Sequence, residues 1–478
     1  MTAHLLGRAS AGTVPITPLA PDGLKDWLAG QPERVRAWVE STGFGAEPGA
    51  VCLLPAESGT LARVLAGIDP AEELWSWAAL PARLPAGETG GRYALDATLA
   101  PESASRAALG WALGTYRFAR YRKAERRFPA LVWPKGAERD AVERTVRAVF
   151  LVRDLINTPA EDLGPEELAA AARRLAREHG AAVEVTTGTE LLAKNYPAIH
   201  AVGRASAREP RLIDLRWGEA GPRVALVGKG VCFDSGGLDL KSSGNMKLMK
   251  KDMGGAAHVL GLASMIMTAG LKLRLRVLVP AVENSVSGNA MRPLDVLATR
   301  KGMTVEVGDT DAEGRLILCD ALAEADRDEP DLVVDFATLT GAARVALGPD
   351  VPAVFCNDEG IAEALLEESR RQQDPVWRLP LHRPYRKQLD SKVADICNIA
   401  SGPFGGAIVA ALFLAEFLRP ETRWVHLDLM AWNLSNRPGR PEGGEAMGLR
   451  AVYGLIEALA EGRVPAAPPA GQEGSVGR

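Results

Sequence analysis

What most constrains the fold of this 478-residue chain is a regular alternation that begins near residue 182. Strand-like apolar runs at 182–185, 211–217, 223–227, 273–279, 303–307 and 332–336 alternate with stretches of helical spacing at 258–267, 316–326 and 362–371. Such alternation buries apolar strands only when helices pack on the sheet, so it predicts an α/β fold with a mixed central sheet covered by helices. The length exceeds the ~100 to 200 residues usual for one domain. Two domains are expected: a smaller N-terminal α/β domain over 1–145 and a larger C-terminal α/β domain over 146–462. A disordered tail is expected over 463–478, where Pro, Gly and Ala dominate.

Within the first part, residues 102–126 carry Leu109, Ala112, Leu113, Tyr116 and Phe118 at helical spacing, with Arg and Lys gathered at the end that a helix dipole favours for cations. One helix is expected there and another over 138–155. A third should begin at Pro165, Glu166 and Glu167 and stop at Gly180.

Composition excludes several classes. Against 60 acidic side chains stand 56 basic ones, leaving a formal charge of -4, too little of either sign to argue for a nucleic-acid or membrane-surface partner. Cys52, Cys232, Cys319, Cys356 and Cys397 are scattered and form no C-x-x-C pair, against a disulfide framework or structural zinc and in keeping with a reducing cytoplasm. The most apolar internal run, 407–415, is far short of the ~20 residues that span a bilayer. No export and no membrane insertion are expected.

Chemistry concentrates in residues 224–261, 307–322 and 336–342, each following a predicted strand. In open α/β sheets functional groups collect beyond the carboxyl ends of strands, which is where Lys229, Asp234, Asp311 and Glu313 fall. Asp311 and Glu313, two apart, would point the same way in an extended segment, and Asp234 and Asp252 lie in connections that can converge on them. Four carboxylates carry the charge that two divalent ions neutralise, and histidine is scarce nearby: only His258 falls in these motifs. This favours a two-metal carboxylate centre over a three-histidine zinc site. Lys229, in GKG, is a loop cation if alone and a possible ligand beside metals, since neighbouring cations favour its neutral amine. Neither a phosphate loop nor a nucleophile elbow accompanies these residues.

Taken together, GKGVCFDSGG (228–237), LDLKSS (238–243) and DTDAEGRL (309–316) resemble the leucyl aminopeptidase family of cytosolic dinuclear metallopeptidases. The likeness runs from RDLINTPAEDL, at Arg153, to the helix near Glu461 and is weak before it. It implies that Asp234 and Glu313 bridge two metals, Lys229 and Asp252 complete the exchangeable site, and Asp311 completes the tighter one. Lys241 is implied to polarise the scissile carbonyl, and Arg315 to hold a bicarbonate that acts as general base. Met249 and Thr338, with the backbone of Leu339 and Gly341, are implied to hold substrate. The implied activity is release of N-terminal amino acids from short peptides by attack of a metal-bridging water, with two ions of Mn, Zn or Mg per subunit. A cytoplasmic homo-hexamer is the implied assembly. Two departures stand out: Asp309 replaces the family Asn, and WVHLDLMAWN (424–433) lacks the usual small A-G-T run. The alternatives are a two-metal phosphohydrolase, which the missing phosphate loop opposes, and a DNA-binding regulator of the same family, which the near-neutral charge opposes.

Overall fold

The computed structural model describes residues 4–87, 91–122 and 127–464. From residue 465 onward, the expected tail lies outside the described residues. The chain divides into two compact units, Met1–Phe150 with Leu434–Glu442, and Leu151–Asn433 with Gly443–Arg478.

The first unit is built on six strands: β1 Leu5–Leu6, β2 Val14–Leu19, β3 Val51–Pro55, β4 Leu61–Gly67, β5 Arg92–Leu95 and β6 Ala130–Val132. They lie in the order β1-β6-β5-β2-β4-β3, parallel except where β3 meets β4. The helix expected over 102–126 covers only Pro101–Leu113. Gly114 is a poor helix former, and the Thr115 amide and hydroxyl both turn back onto Ala112 O, at 3.1 and 2.7 Å, closing the last turn. Tyr116 therefore leaves the helix and packs against Phe150, ring centres 4.9 Å apart. The segment Leu434–Glu442, distant in sequence, belongs to this unit: Arg440 lies 3.8 Å over the Trp75 ring.

In the second unit the strands are β7 Ala182–Thr187, β8 Arg211–Trp217, β9 Arg223–Gly228, β10 Gly230–Asp234 and β11 Arg274–Asn284, followed by β12 Val296–Ala298 and β13 Thr304–Glu306. Then come β14 Leu332–Ala337, β15 Ala353–Cys356, β16 Trp377–Arg378, β17 Ile396–Cys397, β18 Trp424–Asp428, β19 Trp432–Asn433 and β20 Gly443–Gly444. The main sheet runs β16-β15-β18-β14-β9-β11-β8-β7, with β10 added to β11. Its centre, β18-β14-β9-β11, is parallel, whereas β15 and the β8-β7 end are antiparallel, so the sheet is mixed as expected. β12, β13 and β17 form a separate small sheet.

β9 is the pivot. The chain leaves it through the Gly254–Ala269 helix to β11 on one side, then through the Glu313–Asp326 helix to β14 on the other. Ala225 and Val227 share a core with Leu316, Ile317 and Leu318 of the second helix. Gly228 faces Val259 of the first. Because strand side chains alternate, the two helices cover opposite faces. Every residue from Gly254 to Met267 is buried, as a helix apolar on all sides requires. The Pro165–His179 helix starts and stops where expected, with Gly180 left-handed after it.

One ion pair in this core has no access to water. Arg153 and Glu445 are 0% and 3% exposed, and the guanidinium meets both carboxylate oxygens at 3.0 and 3.1 Å. Glu445 also accepts from Asn433 Nδ2 at 2.6 Å and the Ala446 amide at 2.9 Å. Glu445→Ala strands a buried cation, and urea unfolding should show a loss of about 3–5 kcal/mol. A loss below about 1 kcal/mol would mean that water or a neighbour replaces the carboxylate.

Candidate active site

Lys229 directly follows β9, and Asp234 ends β10. Thr338 follows β14, and Asp428 ends β18. All four thus sit at the carboxyl edge of the parallel strands, around the point where the connections diverge. The Lys229 amide donates to Phe336 O at 3.0 Å, and its carbonyl accepts from the Ala256 amide at 2.8 Å, pinning the loop between β14 and the helix. Two glycines make room for it. A Cβ at Gly255 would lie 2.0 Å from Phe336 O and 2.7 Å from Lys229 N, and one at Gly314 would lie 2.5 Å from Lys229 Cε.

The Lys229 amine is 2.7 Å from Asp252 Oδ2, 3.0 Å from Glu313 Oε1 and 2.9 Å from Thr338 O. The Lys241 amine bridges Asp234 Oδ2, at 2.8 Å, and Asp311 Oδ1. Asn284, at the end of β11, steadies Asp234 through a 2.9 Å bond to Oδ1, which also accepts from the Gly236 amide at 2.9 Å. Thr338 Oγ1 donates to Asp252 Oδ1 at 2.8 Å. Oxygens of Asp234, Asp252 and Glu313 all lie within 4.8 Å of one another, and all three residues are buried. Glu313 Oε2 has no hydrogen-bond donor, and Asp252 Oδ2 and Glu313 Oε1 face only the Lys229 amine. Hard, anionic oxygens crowded in this way fit a divalent cation, which would replace the missing donor.

Charge follows this geometry. Burial raises the Glu313 carboxyl well above its usual value, and Asp234 pushes it further. The Asp311 carboxyl is pushed up to about 6, by burial first and then by Asp234. Burial alone would raise Asp252, yet Lys229 and Lys251 hold it low. For Lys229 burial favours the neutral amine, but Asp252, Glu313 and Asp234 outweigh it and hold the ammonium above the ordinary lysine value. With protein charges alone, the lysine is therefore the counter-ion of the cluster.

The expected pairing of Asp311 and Glu313 on an extended segment is corrected by the structure. Asp311 sits in a turn and Glu313 opens a helix, so the first faces Lys241 and the second Lys229. Asp309 organises this turn: it accepts the Asp311 amide at 2.7 Å, and its carbonyl accepts from Asn398 Nδ2 at 2.8 Å.

A cavity of about 470 Å³ opens over the cluster. Lys229, Asp234, Lys241, Met249, Asp252, Asp311, Thr338, Leu339 and Gly341 all line it. Glu313 lies behind Lys229, fully buried, and is not part of the lining. Nor is Arg315, whose Nη1 donates to Asn398 O at 2.7 Å while its Nε is buried without an acceptor. Sequence reasoning missed Asn284 and Asp428. The Asp428 carboxylate accepts the amides of Leu339 and Thr340, at 3.0 and 3.1 Å, and the Thr340 hydroxyl at 2.6 Å, fixing the loop that lines the cavity. Both end parallel strands, a position that marks a polar residue for attention.

His258, the only histidine in the motifs, is structural. Its Nε2 accepts the Met447 amide at 2.9 Å, so Nδ1 carries the proton toward Gly254 O at 2.6 Å. Burial pushes its pKa down to about 4. The unfolded chain takes up a proton near pH 6.5 and the folded one only near 4, so stability falls as pH drops through this window. The expected loss is roughly 3 kcal/mol, at about 1.4 kcal/mol per tenfold in proton affinity. Urea midpoints of wild type and His258→Gln between pH 7 and 4 would isolate it; identical pH dependences would remove His258 as the cause.

Comparison with known proteins agrees with this geometry. Residues 150–453 match the description "Cytosol aminopeptidase family, catalytic domain", and residues 14–134 match "M17 aminopeptidase, N-terminal domain". A probable cytosol aminopeptidase of Streptomyces coelicolor is 37% identical over 474 residues, covering 90% of this chain and 91% of that protein. Peptidase B of Pectobacterium carotovorum is 41% identical over 331 residues, covering 67% and 76%. Among solved structures, the cytosol aminopeptidase of Coxiella burnetii superposes with a TM-score of 0.90 at 49% identity, over 95% of this chain and 98% of that one. The bottromycin maturation enzyme BotP in complex with Mn gives 0.84 at 37%, over 94% and 100%.

An α/β chain with buried carboxylates massed at the parallel strand ends, matched in this way along both units, is a hydrolase of peptide bonds. It belongs to the cytosol aminopeptidase family and is an aminopeptidase.

Proposed function

We propose that the chain removes N-terminal amino acids from short peptides, using two divalent ions held by Lys229, Asp234, Asp252, Asp311 and Glu313. The observation that carries this reading is the buried triad of Asp234, Asp252 and Glu313, whose oxygens crowd within 4.8 Å of one another and include Glu313 Oε2, which has no donor. Ions bound there would supply Lewis acidity toward the scissile carbonyl and the attacking water. Manganese is favoured, since BotP was solved in complex with Mn; zinc and magnesium are the alternatives.

The chain's own groups do the remaining work. Lys241, next to Asp234 and Asp311 at the cavity wall, keeps its positive charge and offers it to the carbonyl oxygen as negative charge develops. Arg315 is always charged, and its Nε, buried without an acceptor, suits it to hold bicarbonate as a general base where no histidine lines the cavity. Met249, Thr338, Leu339 and Gly341 hold the first residue of the substrate. By this reading the catalytic domain spans 146–462, the 1–145 domain serves assembly, and the protein works as a cytoplasmic homo-hexamer.

The test is hydrolysis of aminoacyl amides and their N-acetylated forms by metal-stripped protein, before and after Mn, Zn or Mg is restored. Cleavage of the free-amine amides alone, only with metal, is expected. Cleavage of acetylated substrates, or of phosphoesters in their place, would overturn the reading.

A further inference from the structure

The small separate sheet ends at the site. β17 pairs with β13 in parallel, Val305 beside Ile396 and Glu306 beside Cys397, and the Asn398 backbone amide adds a 3.0 Å bond to Glu306 O. There the backbone ladder stops, because residues 308–312 turn toward the helix that opens at Glu313. The Asn398 side chain takes over. Its Oδ1 accepts the amides of Gly308 and Asp309, at 2.7 and 3.3 Å, and its Nδ2 donates to the carbonyls of Asp309 and Ala312, at 2.8 and 3.3 Å. Four bonds fill the capacity of a primary amide, and Asn398 is 0% exposed. Its backbone carbonyl accepts from Arg315 Nη1 at 2.7 Å. One residue thus grips the run from Gly308 to Arg315, which carries Asp311 and Glu313. Gly308 permits the approach: a Cβ there would lie 2.6 Å from Ile399 Cγ1 and 2.8 Å from Cys397 Sγ. The other side of the turn is anchored separately, the Thr310 amide donating to Asp239 Oδ2 at 2.8 Å and its hydroxyl to Gly236 O at 2.6 Å.

We propose that Asn398 is a positioning residue of the metal centre: its side-chain amide fixes the turn that presents Asp311 and Glu313, and its carbonyl fixes the guanidinium of Arg315. The proposal rests on the aminopeptidase reading and adds to it a residue outside the cavity lining. A free turn must lose conformational entropy when it closes on an ion, and a turn already held by four bonds has lost it beforehand. Met249, Thr338 and Leu339, which line the cavity, stand on other segments and do not depend on Asn398. Metal affinity and turnover should therefore answer to Asn398, and substrate affinity should not.

The experiment titrates metal-stripped full-length protein with Mn by calorimetry, then measures hydrolysis of leucyl amide at saturating Mn. Asn398→Ala and Asn398→Asp should each weaken Mn binding and lower kcat by ~10- to 100-fold, the scale for losing a group that orients metal ligands, with KM unchanged. Aspartate keeps the volume and the accepted bonds but sets an acceptor against the Asp309 and Ala312 carbonyls, so loss in both variants assigns the effect to hydrogen bonding rather than packing. Gly308→Ala, which leaves the amide in place and pushes residues 397–399 away, should act in the same direction. Wild-type Mn affinity and kcat in folded Asn398→Ala, with only the urea midpoint lowered, would overturn the proposal, and so would a change confined to KM. If neither Asn398 variant folds, Gly308→Ala decides by the same two readings. Failure of wild type to cleave any free-amine amide with metal bound would instead defeat the aminopeptidase reading, while the Mn titration would still judge Asn398.

Discussion

Glu313→Gln should lower aminopeptidase activity by at least about 10³-fold, roughly 4 kcal/mol of transition-state stabilisation, and should release metal. Glu313 is fully buried at the first turn of its helix, and neither of its oxygens meets a donor other than the Lys229 amine. A carboxylate in that position costs free energy unless a cation offsets it. Neutral glutamine removes the cost and with it the affinity for metal. Metal-free Glu313→Gln should therefore unfold no earlier than metal-free wild type, while the rise in Tm on adding Mn should shrink sharply. Full metal content together with wild-type turnover would show that Glu313 is not a ligand.

Lys241→Met should separate the two halves of the chemistry. Lys241 touches Asp234 and Asp311 but is the more exposed of the two site lysines, lining the cavity where a carbonyl oxygen would approach. Removing its charge should reduce kcat and kcat/KM together by about 10² to 10³, the scale of a lost oxyanion contact. Metal content should stay at the wild-type level, because the carboxylates that would bind metal gain freedom when the lysine leaves. Loss of metal would mean that Lys241 shapes the ion site rather than the transition state.

Much of the fold was legible because apolar runs report burial directly: the 211–217, 223–227 and 332–336 runs coincide with β8, β9 and β14 almost residue for residue. The carboxylates and lysines were legible because they stand in compact motifs just past those strands. What failed had other causes. The 102–126 helix was overextended because its spacing continues past Gly114 while the backbone does not, Thr115 having closed the turn. Asp311 and Glu313 were misplaced relative to each other because a helix start, set by tertiary packing, intervenes between them. Asn284 and Asp428 escaped notice because their partners lie 50 and 88 to 89 positions away along the chain, where no local pattern signals them.

The short return of residues Leu434–Glu442 into the first unit also has a temporal meaning. On the ribosome, Phe150 precedes Leu434 by 284 residues, or roughly 15 to 60 s of synthesis at ~5–20 residues per second. Throughout that interval the Trp75 ring lacks the Arg440 guanidinium that finally covers it. The first unit to be begun is thus completed only after most of the second has been made, and a fragment ending at residue 150 would correspond to a nascent chain rather than to a finished domain.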